Sequence, residues 1–118
     1  MIIEGKAFSG KDFEKKIGKE KFSIFLLWMI SRKEQHGYEI IKTIKEDPHM
    51  PSFTASKIYP LLRDLTKKGL ISSRKVMQGK RARKIYYITA KGKLVLEKAK
   101  AYIKQSPLMM AYVEDMMK

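Results

Sequence analysis

Between residues 56 and 89 the hydrophobic period changes once, and that switch limits the folds open to the chain. In SKIYPLLRDL (56–65), Ile58, Leu61, Leu62 and Leu65 fall at i, i+3, i+4 and i+7, the one-sided stripe of an amphipathic helix. Beyond Gly69 the apolar residues turn β-branched and aromatic. LISSRKVM (70–77) and ARKIYYIT (82–89) read as strands, and QGKR between them supplies a glycine-containing turn, so the pair is predicted as an antiparallel hairpin. Lys67 and Lys68 suit the last turn of the helix, where cations meet the negative end of its dipole, and Gly69 is placed to end it.

Upstream, the patterning is helical. Residues 1–20 mix charge with Gly5, Gly10 and Gly18, and only SGKDFEKKI, with Ser9 as its cap, hints at a short helix, so this segment reads as an arm. A helix is predicted over about Lys21 to Glu34. Phe22, Phe25, Leu26, Met29 and Ile30 form its stripe, and Ile24, Leu27 and Trp28 widen it almost all round, which places it in the core or in a dimer. A second helix covers about 37–47, carrying Ile40, Ile41 and Ile44 until Pro48 stops it. DPHMPSFTAS (47–56) is a turn, after which Thr54 or Ser56 caps the third helix. Past the hairpin, Thr89 caps a further helix with Leu94, Val95, Tyr102 and Ile103 as candidate buried positions, and Pro107 breaks or kinks it before LMMAYVEDMMK.

Charge follows the same map. The chain nets +14, and residues 54–93 hold twelve Lys and Arg against the single acid Asp64, a net of +11, whereas 1–20, 21–53 and 94–118 net +1 each. A lysine-rich composition would spread its excess, so the clustering points to a polyanion partner. The apolar run IFLLWMI (24–30) is far short of the roughly 20 residues of a membrane span, and the amino terminus lacks a signal-peptide pattern. The expectation is a soluble, cytoplasmic protein with no membrane partner. With no cysteine and two histidines there is neither a disulfide framework nor a thiolate metal site, and a zinc site would need carboxylates. No nucleophile elbow, phosphate loop or pair of carboxylates in a non-basic setting supports an enzyme, and no cofactor is expected.

Three helices followed by a hairpin is the order of a winged helix-turn-helix, in which the third helix enters the major groove and the hairpin reaches the flanking backbone or minor groove. The predicted fold is mainly α with a small β-hairpin, divided into an arm or short helix (1–20), a winged helix-turn-helix (21–89) and a carboxy-terminal dimerisation helix or helices (90–118). Opposite the apolar stripe of the third helix lie Ser56, Tyr59, Arg63 and Lys67, with Thr54 and Lys57 at its start. Arg63 is the candidate base reader, since its fork pairs with guanine O6 and N7; an intrahelical pair with a carboxylate is the other reading. Lys80, Arg81, Arg83 and Lys84 surround the hairpin turn as phosphate contacts, Arg81 with access to a minor groove, or they form a solvated loop. Pro60 either sets the angle at which the helix start meets phosphate or is a tolerated kink facing solvent.

HGYEI (36–40), YPLLRDLTKKGLI (59–71) and RKIYYITAKGK (83–93), in this order, resemble the PadR family of winged-helix transcriptional regulators over roughly residues 21–105. The resemblance implies a homodimeric repressor on a roughly palindromic double-stranded operator, with the carboxy-terminal helix building the dimer and, in some members, a small hydrophobic or phenolic effector relieving repression. Before HGYEI, where a short Gly or Pro turn is common in the family, this chain has SRKEQ, so its first helix runs longer or turns differently.

Tyr38 reads either as a phosphate contact or as packing under the hairpin, and His36 as a capping or packing residue. Candidate dimer residues are Phe25, Trp28, Tyr102, Leu108, Met109, Tyr112, Val113 and Met116; the apolar tail is more than a lone helix can shelter, and folding back on its own core is the alternative. Trp28, Tyr102 and Tyr112 qualify as an effector platform only by meeting across a two-fold. The rival functions are a sequence-nonspecific architectural or RNA-binding protein and a protein adaptor on the same scaffold.

Overall fold

The computed structural model describes residues 10–50 and 54–118. Its elements run α1 (Gly10–Arg32), β1 (Gln35–His36), α2 (Gly37–Glu46), α3 (Ala55–Lys67), β2 (Ile71–Gln78), β3 (Arg81–Ile88), α4 (Ala90–Lys104) and α5 (Pro107–Met116). The predicted helix start at residue 21 is corrected: α1 begins at Gly10 and passes through Gly18 without a break. A glycine inside a helix costs about 1 kcal/mol relative to alanine, which weakens the helix without ending it. The proposed Ser9 cap lies outside the described residues.

At its other end α1 stops two residues earlier than predicted, and the stop needs neither glycine nor proline. The Gln35 side-chain amide is buried and donates to the carbonyls of Met29 at 3.0 Å and Lys33 at 3.1 Å, satisfying acceptors that the end of a helix leaves open. Gln35 and His36 then pair with Tyr86 and Ile85, so the expected two-stranded hairpin is a three-stranded antiparallel sheet of order β1-β3-β2. Two residues are too few to show a period, which is why sequence patterning missed β1.

The core lies between α1, α2, α3 and the sheet. Leu26, Leu27 and Ile30 of α1, Ile40 of α2, Ile58 and Leu62 of α3, and Ile71 of β2 are almost wholly excluded from solvent. The α3 stripe is buried as its period requires, whereas α1 is one-sided rather than buried all round: Ile24 and Trp28 stay open. In α4 the expected face is corrected. Leu94, Tyr102 and Ile103 are exposed, Val95 is half-buried, and Gly92 and Leu96 make the buried contact. Pro107 does not kink α4 but opens α5, whose Ser106 cap accepts from the Met109 amide at 3.1 Å. No residue of α5 is buried, so the tail does not fold back on the core.

Candidate nucleic-acid interface

The third helix is fixed first at its ends. Thr54 occupies the cap position and its carbonyl accepts from the amides of Lys57 and Ile58, but its hydroxyl pairs with Ser56 Oγ at 2.6 Å instead of capping. At the far end the Gly69 amide donates to Thr66 and the Leu70 amide to Leu65, each at 3.0 Å, with Gly69 at φ +75°: the left-handed termination that glycine enters without a steric penalty. Thr89 Oγ1 donates to the Gly69 carbonyl at 2.6 Å and accepts from the Gly92 amide at 3.0 Å, so the start of α4 is bolted to the end of α3.

Pro60 is exposed in the second turn, and α3 continues unbroken through it. The amide it lacks would have met the Ser56 carbonyl in the exposed first turn, where water replaces the missing bond, so the proline costs little. It forms one wall of a groove of about 410 Å³ between α3 and the sheet, lined by Pro60, Arg63, Asp64, Thr66 and Lys67 on the helix and by Ser73, Lys84 and Tyr86 on the strands.

Three cations, Arg63, Lys67 and Lys84, therefore border one concavity. Asp64, the acid among them, pairs with Lys68 at 3.1 Å, and among the described residues no ion pair or side-chain hydrogen bond engages the Arg63 guanidinium. Burial pushes the Tyr86 phenol up from its ordinary pKa, Tyr59 adds to the rise, and Arg63 partly opposes it. These three side chains thus share one electrostatic neighbourhood. Tyr59 packs one edge of its ring on Gly37 at the start of α2 and keeps the rest of its side chain exposed. Tyr38 is exposed on the first turn of α2 rather than tucked under the hairpin.

The hairpin turn closes with Gly79 at φ +63° and no positive φ at Lys80, a tight glycine-first turn that matches strand twist. Lys80 and Arg81 are exposed at its tip. The four predicted hairpin cations do not form one cluster. Strand alternation puts Lys84 beside Tyr86 on the α3 side and Arg81 and Arg83 on the other. Arg83 is half-buried, with its Nε excluded from solvent and without a hydrogen-bond partner. On that rear face Arg74 is engaged, paired with Glu34 and lying 5.8 Å from the Tyr87 ring centroid. Sequence reasoning missed Ser73, Thr66 and Tyr86 as groove residues; the i, i+2 relation of Lys84 and Tyr86 was the available signal.

The candidate dimer residues fall into two groups. Phe25 is half-buried between Phe22 and Trp28, at ring-centroid separations of 5.6 and 5.7 Å, and Trp28 is 40% exposed with Arg32 5.3 Å from its ring. Tyr102, Leu108, Met109, Tyr112, Val113 and Met116 are all exposed on α4 and α5. Among the described residues no ring contact joins Trp28 to Tyr102 or Tyr112, no group of three His, Asp or Glu side chains is arranged to hold a metal ion, and no helix is long and apolar enough to cross a membrane.

A short third helix seated on a small antiparallel sheet, with a basic groove between them and a basic hairpin tip beside it, defines a winged helix-turn-helix of the DNA-binding class. Residues 26–98 match the model of the transcriptional regulator PadR-like family, and the chain belongs to that family. Among solved structures it is similar to a PadR-like transcription factor from Bacteroides fragilis (TM-score 0.74, 21% identity, 86% of this chain and 98% of that one). A PadR-like regulator from Bacillus cereus is also similar (TM-score 0.68, 26% identity, 87% and 97%). So is Bacillus subtilis PadR in complex with operator DNA, at TM-score 0.60 and 34% identity, over 65% of this chain and 44% of that one. Among curated proteins no sequence match was found.

Proposed function

We propose that the chain is a homodimeric transcriptional repressor that binds a roughly palindromic operator in double-stranded DNA, acting in the cytoplasm. The observation that carries this reading is the groove between α3 and the sheet, where Arg63, Lys67 and Lys84 converge. A phosphate strand held in it by Lys67 and Lys84 would leave the exposed face of α3, with Ser56, Lys57 and, from the groove's rim, Arg63, toward base edges, and the tip residues Lys80 and Arg81 toward the flank. Two subunits would set their third helices in successive major grooves, about 34–36 Å apart. The apolar surfaces of α4 and α5 supply the dimer contact in this scheme. A small hydrophobic or phenolic effector is the class of ligand that Trp28, Tyr102 and Tyr112 would take if they close around it across the two-fold.

Selecting bound fragments from a genomic pool and competing them against random duplex tests the reading. A repressor prefers its operator by roughly a thousandfold or more, whereas an architectural or RNA-binding protein shows no such preference and an adaptor binds no duplex in a salt-dependent way. Replacing Lys80 and Arg81 together by alanine weakens binding to every duplex alike and lowers the salt slope by about one for each phosphate no longer neutralised.

A further inference from the structure

Beyond its last β1 partner, Ile85, strand β3 runs on toward the tip with only β2 beside it. A two-stranded ribbon in water holds a single position poorly, so the place of Lys80 and Arg81 depends on whatever else restrains it. One side chain provides such a restraint. His36 is 9% exposed at the junction of β1 and α2, and its Nδ1 lies 3.2 Å from the Lys84 carbonyl, one residue past the end of the β1 ladder. Its Nε2 lies 3.4 Å from the Gln78 side-chain amide nitrogen, at the last residue of β2 before the turn.

The two partners fix the proton. A carbonyl only accepts, so Nδ1 carries the hydrogen and donates to Lys84, which leaves the Nε2 lone pair to accept from the Gln78 amide. Glu39 holds the same residue from the first turn of α2: its Oε1 accepts from the His36 backbone amide at 3.0 Å and stands 3.7 Å from Nε2, and its backbone amide faces the His36 side chain in a capping box. Three points thereby become one body: the start of α2, the edge of β3 and the outer end of β2. The Glu34–Arg74 pair ties the same approach segment to the middle of β2, farther from the tip.

The geometry points to His36 as a positioning residue that latches the hairpin tip to the helical body through Lys84 and Gln78. The latch rests on the DNA-binding reading only for its purpose; its mechanical claim concerns the free protein. Gln78 is exposed and outside the core, so Gln78→Ala tests the latch without threatening the fold.

Amide relaxation of the free protein is the primary measurement, with Gln78→Ala, His36→Leu and His36→Asn compared with wild type. Rigid backbone gives order parameters of about 0.85, and values at Gly79–Ala82 are expected to fall toward about 0.6 in the first two variants while core amides of α1 and α3 stay unchanged. His36→Asn keeps a donor near the Nδ1 position and is expected to restore order in part. A tip as ordered as wild type in both Gln78→Ala and His36→Leu overturns the latch. Should His36→Leu loosen the core as well, Gln78→Ala alone decides.

The second measurement is duplex affinity in a double-mutant cycle with the Lys80→Ala, Arg81→Ala pair. His36→Leu is expected to weaken binding by roughly threefold to tenfold in the wild-type background, the range of one or two hydrogen bonds, and to have no further effect once the tip cations are gone. A full additive loss in both backgrounds places His36 elsewhere in the mechanism and refutes its role through the tip. A tip that loosens with no change in affinity supports the latch and instead refutes the tip as a DNA contact.

Discussion

The Tyr59 ring lies so close over Gly37 that a β-carbon at residue 37 would come within 2.8 Å of Cε1 and 3.3 Å of the phenolic oxygen. The contact fixes the approach of α3 to α2. Gly37→Ala forces the exposed end of Tyr59 to swing outward, but alanine also favours the helix by about 0.5–1 kcal/mol, so the net change in stability is expected to stay within about 1 kcal/mol. In a Tyr59→Ala background the clash is gone and the same substitution stabilises. Denaturant unfolding of the single and double variants checks both signs.

Gly92→Ala behaves differently, because there the obstruction is backbone. An added β-carbon would run into the Leu70 carbonyl and approach the Ile88 side chain at 2.7 Å, and neither can swing aside without parting α4 from the end of α3. A loss of about 2–3 kcal/mol or more is expected from forced overpacking, read as a lower urea midpoint.

Arg63 and Asp64 are neighbours of opposite effect at the groove. Arg63→Ala is expected to cost about 1–3 kcal/mol on the operator and to relax preference at one base position, whereas equal loss on every sequence removes it as a reader. Asp64→Asn removes a repelling charge and frees Lys68, and tighter binding to all duplexes is the expected result. A panel of singly substituted operators measures both.

Tyr86 links stability to alkaline pH. Its phenol is raised above the ordinary value, chiefly by burial, so the folded protein holds this proton to higher pH than the unfolded chain does. The contribution is fully present below about pH 10 and is lost as pH rises through the folded pKa. Thermal stability followed from about pH 8 to 11 is expected to fall more steeply for wild type than for Tyr86→Phe, because ionisation of the phenol in the unfolded chain draws wild type down; a steeper fall for Tyr86→Phe would mean that the folded phenol is not raised.

Met109 and Val113 are each about two-fifths exposed on α5 in a single chain. If a second copy covers them, Met109→Asp or Val113→Asp buries an unpaired carboxylate at the interface, and sedimentation is expected to show a monomer with weakened operator binding. An unchanged mass would move the dimer contact to the open Ile24 and Trp28 face of α1.

The order of parts and the location of charge were legible before any fold was known. The i, i+3, i+4, i+7 stripe of α3, the glycine that ends it, the β-branched hairpin and the +11 stretch are properties of consecutive residues, so local sterics and solvation suffice to read them. Other features wait on packing. The passage of α1 through Gly18, the Gln35 amide that ends it, the two-residue β1 and the choice of Leu96 over Leu94 on α4 depend on groups brought together across the fold. The split of the hairpin cations between two faces and the His36 contacts 42 and 48 residues away belong with them. A side chain's partners at such separations are set by how the elements close around a shared core, and no local period carries that information.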